Sequence, residues 1–175
     1  IVLPYLSTKP NLDINKYILW DEVESETHDP IFEQVSFSHP LLILYSSGTT
    51  GLPKPIVHSH GGIIIEHMKV LSLHLDLKQT DNFFWFTTTG WMMWNLLIGG
   101  MLLGATVLLY DGNPNYPETD ALWRFSEDVG MTYFGASAAY IQNCMRAGLK
   151  PIREFDLRLK GVGSTGAPLT PSAFR

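Results

Sequence analysis

The stretch Tyr45-Ser46-Ser47-Gly48-Thr49-Thr50-Gly51-Leu52-Pro53-Lys54 concentrates hydroxyls, glycine and one lysine between the apolar runs 41–44 and 56–57. That composition suits a grip on phosphate. Glycine lets several backbone N–H groups turn toward one anion, Ser and Thr hydroxyls add donors, and the Lys54 ammonium adds a full positive charge. A nucleoside triphosphate is the expected guest. The pattern is not the G-x-x-x-x-G-K-[ST] loop: counting from Gly48 puts Pro53 at the second glycine and Pro55 where a hydroxyl should hold magnesium. Both prolines disfavour a helix directly after the loop, so the expected local structure is strand, loop, strand. A plain hairpin turn, with its usual loop of about 2–5 residues, would need neither the length of this stretch nor its terminal lysine.

The elements around this loop follow from periodicity and punctuation. No charged residue occurs from Phe83 to Tyr110, a length that invites a membrane-span reading. Thr87-Thr88-Thr89-Gly90, Gly99-Gly100 and Gly104 divide the run into a strand over 83–86, a helix over about 91–103 and a strand over 105–110. Such a helix is about 20 Å long, short of the roughly 30 Å hydrocarbon core, so no membrane span is expected. A helix apolar on nearly every face belongs inside a large domain. Ser59 is placed to cap a helix over 61–75, in which Ile64, Met68, Leu71 and Leu75 repeat at helical spacing. Helices near 117–129 and 137–147 flank a strand at 131–135, and a strand near 157–164 leads into Gly-Ser-Thr-Gly-Ala-Pro-Leu. The expected fold class is therefore α/β, a mostly parallel sheet flanked by helices. Residues 1–35 read as the end of a strand followed by a polar connector carrying Asp21, Glu22, Glu24, Glu26 and Asp29, and 36–175 as the body that carries the chemistry.

Composition narrows the function classes. A net charge of −5 from 12 basic and 17 acidic side chains does not suggest a nucleic-acid surface. Cys144 is the only cysteine, which excludes a disulfide within the chain and fits a reducing, cytoplasmic location. His60, His67 and His74 recur every seven residues, but seven residues of helix span about 10 Å, too far for one ion with bonds near 2 Å. They read as solvated or packed side chains, and no metal ligand is assigned. His58 ends the strand after the loop, where it either faces the nucleotide or makes a structural hydrogen bond. A serine hydrolase is disfavoured because there is no G-x-S-x-G elbow.

YSSGTTGLPK, followed closely by PIVHSHGG, resembles the signature of the adenylate-forming superfamily of acyl-CoA synthetases, luciferases and adenylation domains. FFWFTTTGWMMWN, GATVLLYDGNPNYP and GSTGAPL look like the acetyl-CoA synthetase branch, and TTTGWMMWN with LYDG is most similar to the acetoacetyl-CoA synthetases. The resemblance covers roughly residues 36–175. It implies a partial N-terminal ATP-binding catalytic domain, with the family's C-terminal domain and its lysine outside the chain. It also implies a reaction in which a carboxylate attacks the α-phosphorus of ATP, pyrophosphate leaves, and the acyl-adenylate gives its acyl group to the thiol of coenzyme A. ATP, Mg2+ and coenzyme A are then the expected cofactors and a small acid, acetoacetate, the expected partner. The alternatives are an acetyl- or propionyl-CoA synthetase with an altered pocket and, from another class, a nucleotide-binding protein without catalysis.

Site residues carried over by this resemblance are Ser46, Ser47, Gly48, Thr49, Thr50, Gly51 and Lys54 for the phosphates, with Thr49 and Lys54 acting in catalysis. Gly166, Ala167 and Pro168 match the turn that lies along adenine, although Ala167 stands where acetyl-CoA synthetases commonly carry an acid. Trp91, Met92 and Met93 fall at the acyl-pocket position, with Met-Met replacing the Val-Thr of the acetyl branch; core methionines are the competing reading. Asn115 and Gly135 match coenzyme A positions, against a simple turn-former for Asn115.

Overall fold

The structure, a computed structural model, describes residues 1–3, 17–24, 29–46 and 51–174. The chain divides into two compact units, Ile1–Val35 and Ser36–Arg175. In the first, Val2 and Leu19 form an isolated parallel bridge, with the Val2 N–H donating to the Ile18 carbonyl at 2.8 Å and the Trp20 N–H to the Val2 carbonyl at 2.9 Å. Helix α1 (Trp20–Glu24) follows, with Asp21 and Glu22 in its first turn, where acidic side chains favour the helix dipole. The polar-connector reading missed it because five residues are too few for a periodic pattern to register.

The second unit begins with the expected hairpin. Strands β1 (Pro40–Ser46) and β2 (Lys54–Ser59) pair antiparallel, with Leu44 opposite Ile56 and Ser46 opposite Lys54. Ser59 leaves β2 in an extended conformation and caps helix α2 (His60–Met68), its Oγ accepting from the Gly62 N–H at 3.1 Å. A π-helical turn, Lys69–His74, continues the helix.

The charge-free segment folds as three short elements: β3 (Asn82–Trp85), α3 (Met92–Gly99) and, after a 3-10 turn at Gly100–Leu103, β4 (Thr106–Leu108). Gly104 ends that turn at φ 75°, a left-handed conformation with little cost only for glycine. No helix among the described residues is long and apolar enough to cross a membrane. Helix α4 (Ala121–Asp128), strand β5 (Tyr133–Ser137), helix α5 (Ala138–Arg146), the single turn α6 (Pro151–Glu154) and strand β6 (Gly161–Thr165) complete the unit.

Four strands form one sheet in the order β4-β3-β5-β6, every neighbouring pair parallel. Side chains alternate across it. Phe83 and Trp85 face a core shared with Leu71, Met93 and Leu97, on the side of α2 and α3. Phe84 and Phe134 face the other core, shared with Leu122 and Trp123 of α4 and Tyr140 and Cys144 of α5. Trp123 stacks on Phe134 with centroids 4.3 Å apart and planes 9° from parallel, and its Nε1–H donates to Cys144 Sγ at 3.4 Å. Each fully buried Phe contributes about 1.5–3 kcal/mol by leaving water, so these two layers hold the sheet rigid beneath its loops.

The stripe read into α2 is corrected by the structure. Of that stripe, Leu71 is buried and Leu75 half-buried, but Ile64 and Met68 are 45% and 44% exposed, while His67 turns inward at 8%. An apolar count passes over a histidine, so the inward face that 63, 67, 70 and 71 share did not register at 67.

Candidate active site

In a parallel sheet the crevice outside the carboxyl ends of the strands is where loops converge. Here that edge presents Thr87–Gly90 after β3, Tyr110–Gly112 after β4, Ser137 after β5 and Gly166-Ala167-Pro168 after β6. The hairpin β1–β2 belongs to the same unit.

Ser46 and Lys54 stand opposite each other in the last pair of the hairpin ladder, so they close the base of the loop between them. Ser47, Gly48, Thr49 and Thr50 lie outside the described residues. Gly51 takes φ 104°, and the Cβ it lacks would meet nothing within 4 Å. Lys54 is exposed and pairs with no acid among the described residues. An unpaired ammonium beside an open glycine bend is suited to an anion.

Gly166 opens the turn after β6 at φ 89° with no atom near its missing Cβ, and Ala167 and Pro168 after it are exposed. The turn is therefore accessible along its backbone.

A cavity of about 750 Å³ lies between the hairpin, α2, α3 and the end of β6. It brings Met92 and Met93 together with His58, His67 and the pair Ser164–Thr165 that immediately precedes the Gly166 turn. Trp91 is not among the lining residues; it is the N-cap of α3 and 62% exposed. Met93 is 8% exposed and belongs to the core as well as the cavity wall, whereas Met92 is 55% exposed. Met93 thus packs in the core while also facing the cavity, and Met92 faces the cavity from the surface.

Two buried polar groups in this cavity stand without hydrogen bonds to the described residues. The Ser164 hydroxyl oxygen is one. His67 is the other: the residue is 8% exposed, no described residue hydrogen-bonds its ring and its ring nitrogens keep some solvent access, and burial holds the imidazole below its ordinary range against the opposing pull of Glu66. The ring is neutral near pH 7. Sequence reasoning classed His67 with the packed histidines and missed its cavity-lining position; the signal was its place on one helical face with Ile63 and Val70.

A second cavity, of about 560 Å³, lies between Thr87–Thr89 and Leu108–Gly112 at the ends of β3 and β4. Trp85 lines both cavities and forms the wall between them. Gly135 lies under this wall: a Cβ there would sit 2.2 Å from Trp85 Cδ2. The room its missing side chain leaves is filled by the indole. Asn115 is exposed, and its N–H bonds to Asn113 Oδ1 at 2.9 Å in a local turn. Neither Asn115 nor Gly135 lines either cavity, so the structure does not bring them together with the other candidate residues.

Comparison with known proteins places the sequence and fold among known relatives. The solved acetoacetyl-CoA synthetase from Streptomyces lividans superposes with a TM-score of 0.88 at 51% identity, covering 99% of this chain and 26% of that one. An acetoacetyl-coenzyme A synthetase of Rhizobium meliloti is 46% identical over 82% of this chain and 22% of its own length. Malonamoyl-CoA synthetase vrtB of Penicillium aethiopicum is 41% identical over 86% of this chain and 23% of its own length. The chain thus spans about a quarter of the length of such relatives. Because the family model for AMP-binding enzymes matches residues 6–175, nearly the whole sequence, the chain belongs to the AMP-binding enzyme family.

Proposed function

We propose that this chain carries the phosphate loop and acid pocket of an ATP-dependent acid–thiol ligase, AMP-forming, whose acid is acetoacetate. One observation carries the reading: a single cavity joins Met92 and Met93 at the start of α3 to Ser164–Thr165 at the end of β6, directly before the Gly166-Ala167-Pro168 turn. An acid in that cavity has its carboxylate within the same pocket as the strand that leads to the adenine turn. The relatives' names support the choice of acid. Acetoacetyl and malonamoyl groups both carry a carbonyl at C3, and we assign an acid of that kind to this chain.

The chemistry asks for positioning and charge stabilisation. A carboxylate is already ionised near pH 7, so no strong base is needed for its attack on the α-phosphorus. The obstacles are bringing one anion to another and holding the charge that grows on departing pyrophosphate. Lys54 and the loop that begins at Ser46 meet the second need, as donors aimed at developing charge. The residues present fit a triphosphate: Lys54 is unpaired among the described residues, and Gly51 and Gly166 leave open backbone. In this reading Ser46, Ser47, Gly48, Thr49, Thr50, Gly51 and Lys54 hold the phosphates and Gly166, Ala167 and Pro168 lie along adenine. Magnesium enters with the phosphates; no group of acids, histidines or cysteines among the described residues forms a site for it. The coenzyme A thiol then attacks the acyl carbon and AMP leaves. Asn115 and Gly135 remain assigned to coenzyme A by resemblance, and Trp91 to the pocket's rim. The single buried Cys144 supports a cytoplasmic setting.

The test is exchange of labelled pyrophosphate into ATP by the full-length parent with acetoacetate, acetate or propionate at equal concentration. Strongest exchange with acetoacetate is expected. Stronger exchange with acetate or propionate would keep the ligase and replace the acid. ATP binding without exchange would leave a nucleotide-binding protein.

A further inference from the structure

Resting on that reading of the cavity, we propose that His67 is its specificity-determining residue, donating a hydrogen bond from Nε2–H to the C3 carbonyl oxygen of the acid and so selecting a β-keto acid over a saturated acid of equal length.

His67 is 8% exposed, lines the cavity and has no hydrogen-bond partner among the described residues. A donor on a cavity wall that no protein group satisfies is free to serve a ligand. Its Nδ1 edge is set against α3: a Cβ on Gly99 would come within 2.4 Å of Nδ1 and 3.1 Å of Cε1 and Cγ. Glycine at 99 therefore seats the ring, and Nε2 is the nitrogen on its far edge. Burial keeps the imidazole uncharged, which suits a donor to a neutral carbonyl.

Among the polar side chains that line the cavity, which include His58, Asn95, Tyr133 and Thr165, His67 is the most deeply buried. Trp85, Met93, Leu96 and Val57 make the adjoining walls apolar. Glu66, next on α2, has its carboxylate bound by Lys69 at 2.7 Å and would repel a carbonyl oxygen. Ser164, the other buried group without a partner, lies on β6 beside the adenine turn, on the wall nearest the reacting carboxylate. An acid with its carboxylate toward β6 and its far end toward α2 thus has the Ser164 hydroxyl at one end and the His67 ring at the other. A saturated chain would leave the His67 donor unsatisfied, and a site built around a hydrogen bond rejects an analogue that lacks the partner.

The experiment compares pyrophosphate exchange with acetoacetate and butyrate in the full-length parent, in wild type, His67→Phe and His67→Gln. Wild type is expected to favour acetoacetate in kcat/KM by about tenfold or more. His67→Phe, which keeps a flat ring but no donor, is expected to lower the acetoacetate-to-butyrate ratio by about 10–100-fold. His67→Gln, which restores an N–H donor, is expected to recover part of that loss. An unchanged ratio in His67→Phe, both acids falling together, would overturn the proposal. Should that variant not fold, wild type decides: butyrate used within about threefold of acetoacetate excludes a keto-reading donor. Exchange with neither acid in wild type would remove the ligase reading itself, an outcome distinct from a changed ratio.

Discussion

The indole of Trp85 lies flat across Gly135, its Cδ2 only 2.2 Å from where a Cβ on that glycine would stand. Trp85 pairs with Gly135 and Gly135 with Gly163 in the parallel register, and a Cβ on Gly163 would come within 2.7 Å of the ring's Cη2. One side chain therefore spans three strands on a shelf of two glycines. Since the same ring divides the two cavities, the glycines act on the site by setting where its wall stands.

Gly135→Ala is expected to push the indole off this shelf and destabilise the full-length protein by about 1–3 kcal/mol, the usual range for overpacking a filled core. Urea unfolding measures it. Gly163→Ala touches the outer edge of the ring and should cost less. An unchanged midpoint for Gly135→Ala would mean the ring moves freely, and the wall between the cavities with it.

Lys54→Ala is expected to lower the rate of adenylate formation by about 10²–10³, the range for removing a donor that acts chiefly on developing charge. The same direction is expected for Thr49→Ala. Pyrophosphate exchange at saturating ATP separates this from a binding defect, and turnover equal to wild type in the Lys54 variant would refute its assignment to the phosphates.

Asp81 gives the fold a predictable acid sensitivity. It is 2% exposed at the start of β3, bound by Lys160 Nζ at 2.6 Å and by the Lys78 N–H at 2.8 Å. Burial alone would raise its pKa, but the Lys160 and Lys78 hydrogen bonds and the Lys160 charge outweigh it and hold the carboxyl below its ordinary value. The unfolded chain then takes up this proton first as pH falls. The stabilisation is present above the unfolded pKa of about 3.9 and is lost progressively as pH falls from there through the lower folded value. Thermal unfolding between pH 5 and pH 3 should show this slope flattened in Asp81→Asn. Lys160→Met leaves a buried carboxylate short of a partner and is expected to cost about 1–3 kcal/mol at pH 7.

Much of the fold was legible from residue types. The prolines after the loop predicted a second strand in place of a helix, and β2 begins at Lys54. Ser59 was readable as a cap because its hydroxyl serves the N–H three residues on. Glycines divided the charge-free run into β3, α3 and β4 near the observed limits. Each is a local property, set by backbone preference within a few residues. Helix α2 was legible in place but only partly in orientation: Leu71 turns inward as read and Ile64 and Met68 do not, because an inward histidine does not count in an apolar pattern.

The site divides along the same line. Sequence alone was sufficient for the hairpin that presents Ser46 and Lys54, and for an α/β sheet with loops at one edge, since both follow from propensity and turn chemistry over short spans. Tertiary structure decided that Met92 and Met93 share a cavity with Ser164 while Trp91 stands outside it. It also decided that Gly99 seats His67 and that Trp85 covers Gly135 and Gly163. These contacts join residues far apart in the chain, and their geometry depends on strand order, register and the space left by missing side chains. Those quantities take a value only once the sheet and its two helical layers have packed.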